Sequence, residues 1–112
     1  MDAENFCKQH DIEFVPADEG KMIGVAPGIF DGQMPLNGLR HPETETTTGW
    51  YIWAGTTMSD DPTFFQPMHL SHVLEEHPEL EKYFGLAPGS RFLIDPSKNH
   101  EDVWKDDALL EA

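Results

Sequence analysis

Large apolar residues occupy both parities of one short stretch, Gly49–Trp50–Tyr51–Ile52–Trp53–Ala54–Gly55. In an extended chain Trp50, Ile52 and Ala54 share one face, and Tyr51 and Trp53 share the other. The spacing predicts a strand over 50–54, the clearest element of the chain. Aromatics on both faces imply that both are covered, or that one is covered and the other is offered to a partner. Ile52 marks the Trp50 face as the core side. Trp53 is therefore the better contact candidate of the two, although either tryptophan also suits a core position and the sequence leaves open which face of the strand is exposed.

Weaker alternation elsewhere predicts more strands. Residues 22–26 form one, stopped by Pro27–Gly28. Residues 34–40 form another, which Pro35 and Gly38 should confine to a sheet edge or make irregular, because proline removes a ladder donor. Residues 90–94 form a third, closed by Asp95–Pro96, and 101–105 return as the last. Helical spacing appears over 68–76, where Met68, Leu70, Val73 and Leu74 make an apolar stripe. Pro78 suits the first position of a second helical segment carrying Leu80, Tyr83 and Phe84. Residues 3–10 read as a short helix and 12–15 as a short strand. HPETETTT at 41–48 is a polar loop, and Ser59–Asp60–Asp61–Pro62 an acidic turn. The order predicts an α+β fold, a mostly antiparallel sheet with a broken helical segment packed on one face, in a single domain over residues 1–112.

Composition narrows the function. Twenty-one acidic residues face seven basic ones, a net charge of −14. Nucleic acid and anionic membrane are poor partners for such a chain, because phosphate binding needs basic patches. A basic protein partner would be drawn in by the field, although acidity also serves plain solubility. One cysteine, Cys7, excludes an intrachain disulfide and suits a reducing compartment. No apolar run reaches membrane-spanning length, and residues 1–4 lack the basic and apolar regions of a signal peptide. A cytoplasmic protein is expected.

Candidate chemistry is sparse. His69 and His72 stand three apart on the predicted helix, with Glu76 four beyond His72, but no HExxH spacing accompanies them, so no metal is expected. Acids around Cys7 would suppress its thiolate, which reads as a small packing residue rather than a nucleophile. The acidic pairs Asp60–Asp61, Glu75–Glu76 and Asp106–Asp107 lack the spacing of a calcium loop. No glycine-rich phosphate cradle and no GxSxG elbow occurs. The expectation is a non-enzyme without cofactor that works by binding protein.

Several segments also line up, in order, with a known family. They are Val25–Ala26–Pro27–Gly28–Ile29, Arg40, Thr48–Gly49–Trp50 with Ala54–Gly55, Phe64–Phe65, and the segment 68–76 with His77–Pro78 and Leu80. Gly85–Leu86–Ala87–Pro88–Gly89–Ser90–Arg91–Phe92 and Glu101–Asp102–Val103–Trp104 complete the set. Over about residues 20–105 the chain resembles the small bacterial proteins of immunity protein family thirty-three, formerly a domain of unknown function. It departs from them at Thr56 and Thr57, where such proteins often carry a glutamate. The resemblance implies an α+β domain that binds and neutralises a cognate toxin inside the producing cell. The acidic surface would suit a basic toxin domain. Tyr51, Trp53, Asp60, Asp61 and Phe65 are the expected partner-binding residues, aromatics anchoring and acids pairing with Lys or Arg. Two alternatives remain at this point: a structural or regulatory interaction module with another target, and an enzyme or metal-dependent binder using His69 and His72; the aromatic strand could equally join a homodimer.

Overall fold

The structure is a computed structural model that describes residues 3–31, 34–55 and 65–111. Helix α1 (Ala3–Gln9) opens the chain. Strands β1 (Met22–Val25), β2 (Leu36–Arg40), β3 (Thr47–Ala54) and β4 (Gln66–His69) follow. Helix α2 (Leu70–Glu76) comes next, then β5 (Ser90–Asp95) and β6 (His100–Lys105). The strands form one six-stranded sheet in the order β4-β1-β3-β2-β5-β6. Among the described residues only the β1–β3 pair is parallel; the other strand pairs are antiparallel. This is the α+β arrangement expected from the sequence.

The core lies between one sheet face and the helical segments. Trp50, Ile52, Ile23, Val25, Phe92 and Ile94 come from the strands. Phe6, Leu70, Val73, Leu80, Tyr83 and Phe84 meet them from the other side. α2 begins where Leu70 first turns inward and ends with the His77 N–H on the Val73 carbonyl, 2.8 Å away. Pro78 then opens a 3₁₀ turn, as its preset φ favours. Phe92 is the hub of the aromatics: it stacks on Tyr83 (ring centroids 4.6 Å apart) and lies 5.6 Å from Trp50.

Three expectations are corrected by this packing. β2 is not an edge strand but lies between β3 and β5, with all five residues buried. Pro35 stands just before it and so removes no ladder donor. Gly38 is its register partner with Phe92, and a Cβ there would stand inside the Phe92 ring, so the glycine makes room for the core. Met68 and His69 belong to β4, not to the helix. Pro67 biases Gln66 toward extended backbone, and Ile23 and Met22 of β1 pair with Met68 and His69. His69 and His72 therefore share no helix. Residues 12–15 make only a bridge between Phe14 and Leu86, with the Val15 N–H on the Gly85 carbonyl.

Gly38→Ala is expected to lower stability by about 1–3 kcal/mol, the usual cost of overpacking. A urea titration should show an earlier midpoint with an unchanged slope.

A single arginine ties the layers together. Arg40 is fully buried. Its Nε–H donates to the Thr48 carbonyl at 2.9 Å, and its Nη1 donates to Val15 at 2.6 Å and to Leu86 at 2.8 Å. The guanidinium lies 5.7 Å from the Trp50 ring centre. Burial lowers its pKa; Glu43, 3.8 Å from Nη2, and Cys7 oppose that shift. Cys7 is buried inside α1, and burial raises its thiol more than the Arg40 charge lowers it.

Candidate functional site

The second sheet face carries its own smaller cluster. Ala26, Leu39, Trp53 and Leu109 are buried there, with Tyr51 and Phe65 packed against them. The sheet register explains how they meet. Trp104, Arg91, Leu39, Tyr51, Gly24 and Pro67 are successive cross-strand partners, one row running from β6 to β4. A Cβ on Gly24 would stand inside the Tyr51 ring, so the glycine lets that ring lie on β1. Phe65 meets Tyr51 edge-on at 5.2 Å and Trp53 at 6.2 Å. The His41 ring touches Tyr51 at 5.6 Å, and its Nδ1–H donates to the Leu109 carbonyl at 3.1 Å.

Beside this cluster opens a cavity of about 310 Å³, lined by Tyr51, Phe65, Gly24, Thr46, Thr47 and Pro67. Tyr51 and Phe65 are half-buried, so each offers ring surface to the opening. Trp53 is only 6% exposed. The expectation of an open Trp53 is therefore corrected: Leu109, Leu39 and Ala26, remote in sequence, cover it together with Phe65. Of the five expected contacts, the fold brings Tyr51, Trp53 and Phe65 together. Asp60 and Asp61 lie outside the described residues.

A polar site forms where the helical segment meets β6. Lys82 and Tyr83 reach Glu101 across the molecule. The Tyr83 hydroxyl donates to Glu101 Oε2, and Lys82 Nζ stands 3.3 Å from the same oxygen. Burial works to raise the Glu101 pKa, but it is outweighed by the hydrogen bonds from Tyr83 and Lys82 and by the charges of Lys82 and His10, so the carboxyl lies below its usual range. Burial first, then the Glu101 contact, push the Tyr83 phenol well above its ordinary value. Spacing alone gave no sign of this pair.

A carboxylate depressed in the folded state contributes stability above its unfolded pKa and loses it as pH falls through the folded pKa. Glu101→Gln should therefore flatten the acid limb of the stability curve, read as urea midpoints from about pH 6 to about pH 3. An acid limb unchanged by the substitution would remove Glu101 from the linkage.

Among the described residues no group of three or more His, Cys, Asp or Glu side chains is placed to hold a metal ion. No helix among them is long and apolar enough to cross a membrane.

These features define a small α+β domain built around a buried arginine, with an aromatic cavity on the outer sheet face. The Imm33-like domain model matches residues 2–106, and the chain belongs to that family. The match includes α1 as well as the segments on which the sequence resemblance rested. No curated protein and no solved structure matches the chain.

Proposed function

We propose that this chain is a cytosolic immunity protein that binds and neutralises a cognate toxin through an acidic, aromatic-containing surface. The observation that carries this reading is the Tyr51–Phe65 cavity on the outer sheet face of an Imm33-like domain. Half-buried aromatics held by neighbours lose little side-chain freedom on binding, which is why such rings recur as interface anchors. Trp53 backs them. Asp60 and Asp61 follow β3 closely in sequence and would pair with Lys or Arg of a basic toxin domain. The charge of −14 would speed its approach. Inhibition would follow from covering the toxin's active site or a surface it needs.

The experiment is co-expression with the product of the neighbouring gene, with growth and complex formation as readouts. Phe65→Ala should weaken binding by at least about tenfold, as loss of an anchor does. Reversing the charges of Asp60 and Asp61 should chiefly slow association, with the effect fading at high salt. A neighbour that is harmless alone and does not bind would contradict the toxin assignment and favour an interaction module with another target.

A further inference from the structure

The polar site at Glu101 borders the free side of the sheet. Among the described residues β6 pairs only with β5. The Asp106 N–H donates to the Gly89 carbonyl directly opposite it, continuing the Ser90–Lys105 register. In an antiparallel ladder, hydrogen-bonded pairs alternate. The Arg91–Trp104, Leu93–Asp102 and Asp95–His100 pairs therefore turn their backbone groups toward each other. The N–H and C=O groups of Glu101, Val103 and Lys105 face the open edge.

Next to that edge lies a cavity of about 330 Å³, lined by Glu79, Lys82, Tyr83, Ile94, Pro96 and Glu101, among others. Its chemistry is specific. Tyr83 and Lys82 both engage Oε2 of Glu101, which leaves Oε1 to accept another donor. Ile94 and Pro96 supply an apolar wall. Glu79, its side chain half exposed and its Oε1 held by His77 Nδ1 at 2.8 Å, adds a second carboxylate. Lys82, the cation already paired with Glu101, also lies 5.0 Å from the Phe6 ring centre and 5.1 Å from that of Tyr83, contacts it keeps if the carboxylate turns to another donor.

We propose that the open edge of β6 takes up an extended basic segment of a partner protein as an added strand, with one lysine or arginine side chain seated in the Glu101 cavity. The added strand would use the backbone groups of Glu101, Val103 and Lys105, the usual source of affinity in such pairing. The seated cation would be recognised by a charge-assisted hydrogen bond to Glu101, with its aliphatic stem along Ile94 and Pro96. Charge selects this occupant over a second copy of the chain, since self-pairing would bring two chains of net charge −14 together. The proposal rests on the toxin-binding reading for the owner of the segment, and it adds a second contact region to the Tyr51–Phe65 surface.

The test needs no toxin. The probe is the blocked peptide acetyl-TKVKVT-amide, titrated into the whole protein and followed by amide chemical shifts. Its control replaces both lysines by norleucine. The expected result is saturable shifts at Glu101, Val103 and Lys105, with the control and Glu101→Gln each weakening binding about tenfold. Lys82→Ala removes the competing cation and should strengthen binding severalfold, an arm that holds even if Glu101→Gln fails to fold. Shifts scattered without saturation over exposed acids, equal affinity for the control, or a free protein already dimeric through β6 in sedimentation would overturn the proposal. Peptide failure alongside toxin binding lost in Phe65→Ala would sink the edge proposal alone. A peptide that binds while the neighbouring gene product does not would sink the toxin reading instead.

Discussion

Arg40→Ala is expected to cost on the order of 4 kcal/mol, a large part of the stability of a domain this size. Arginine is rarely buried unless its donors are used. Here the buried Nη2 makes no hydrogen bond and faces the Glu43 carboxylate at 3.8 Å, while Nε and Nη1 donate to three carbonyls, those of Thr48, Val15 and Leu86. They belong to β3, to the segment after α1, and to the connection before β5, none of which follows another directly in the chain. Removing the side chain leaves the buried Thr48 and Leu86 carbonyls and the part-buried Val15 carbonyl without that donor, at about 1–3 kcal/mol for each buried one before water enters the space. Methionine would refill the volume but supply no donor, so Arg40→Met should fare little better. Arg40→Lys keeps the charge and loses the rigid fork, which predicts an intermediate loss. Urea unfolding followed by tryptophan fluorescence measures all three; a midpoint unchanged in Arg40→Met would show the carbonyls to be satisfied in another way.

Trp50→Ala should be of similar size, about 3–5 kcal/mol. The ring is fully buried. It packs 5.4 Å from Phe84 and 5.6 Å from Phe92, and its indole N–H donates to the Phe84 carbonyl at 3.1 Å. Loss of the ring would open a cavity at the meeting point of strands and helical segment. Trp50→Phe retains much of the ring but orphans the Phe84 carbonyl, for about 1–2 kcal/mol. Arg40 is the register partner of Trp50 and lies over its ring. The two substitutions should therefore combine less than additively, because each removes part of what the other touches. Strict additivity in a double-mutant cycle would contradict that coupling.

What the chain revealed by itself follows from the range of the forces involved. β3 is legible because alternation of large residues is local, and Ile52 points to the Trp50 face, which the structure buries in the core. Pro78 marked the restart of the helical segment for an equally local reason. The central place of β2 is not legible because Pro35 reads as a missing ladder donor until the strand is seen to start at Leu36, and Gly38 reads as a breaker until Phe92, more than fifty residues later, is seen to need its missing Cβ. Met68 and His69 read as helix because the four residues of β4 carry little strand signal without β1 beside them. At the candidate site, Tyr51 and Phe65 were named from sequence and do line one cavity. Gly24 was not named, since its importance lies in the ring it accommodates. The burial of Trp53 depends on Leu109 from the far end of the chain. Arg40 served only as a landmark of the resemblance, because composition gives no sign that an arginine is a core residue.

The proposed neutralisation of a toxin through the Tyr51–Phe65 surface of this Imm33-like domain can be read out in growing cells. The most direct measurement is growth of cells expressing the neighbouring gene product, alone, with this chain, and with its Tyr51→Ala/Phe65→Ala variant, after matched urea midpoints show that the variant folds. The product is expected to arrest growth, the chain to restore it and co-purify as an equimolar complex, and the folded variant to do neither. Full rescue and undiminished binding by the variant would contradict the assignment of this surface. A product that neither harms the cell nor binds the chain would contradict the function.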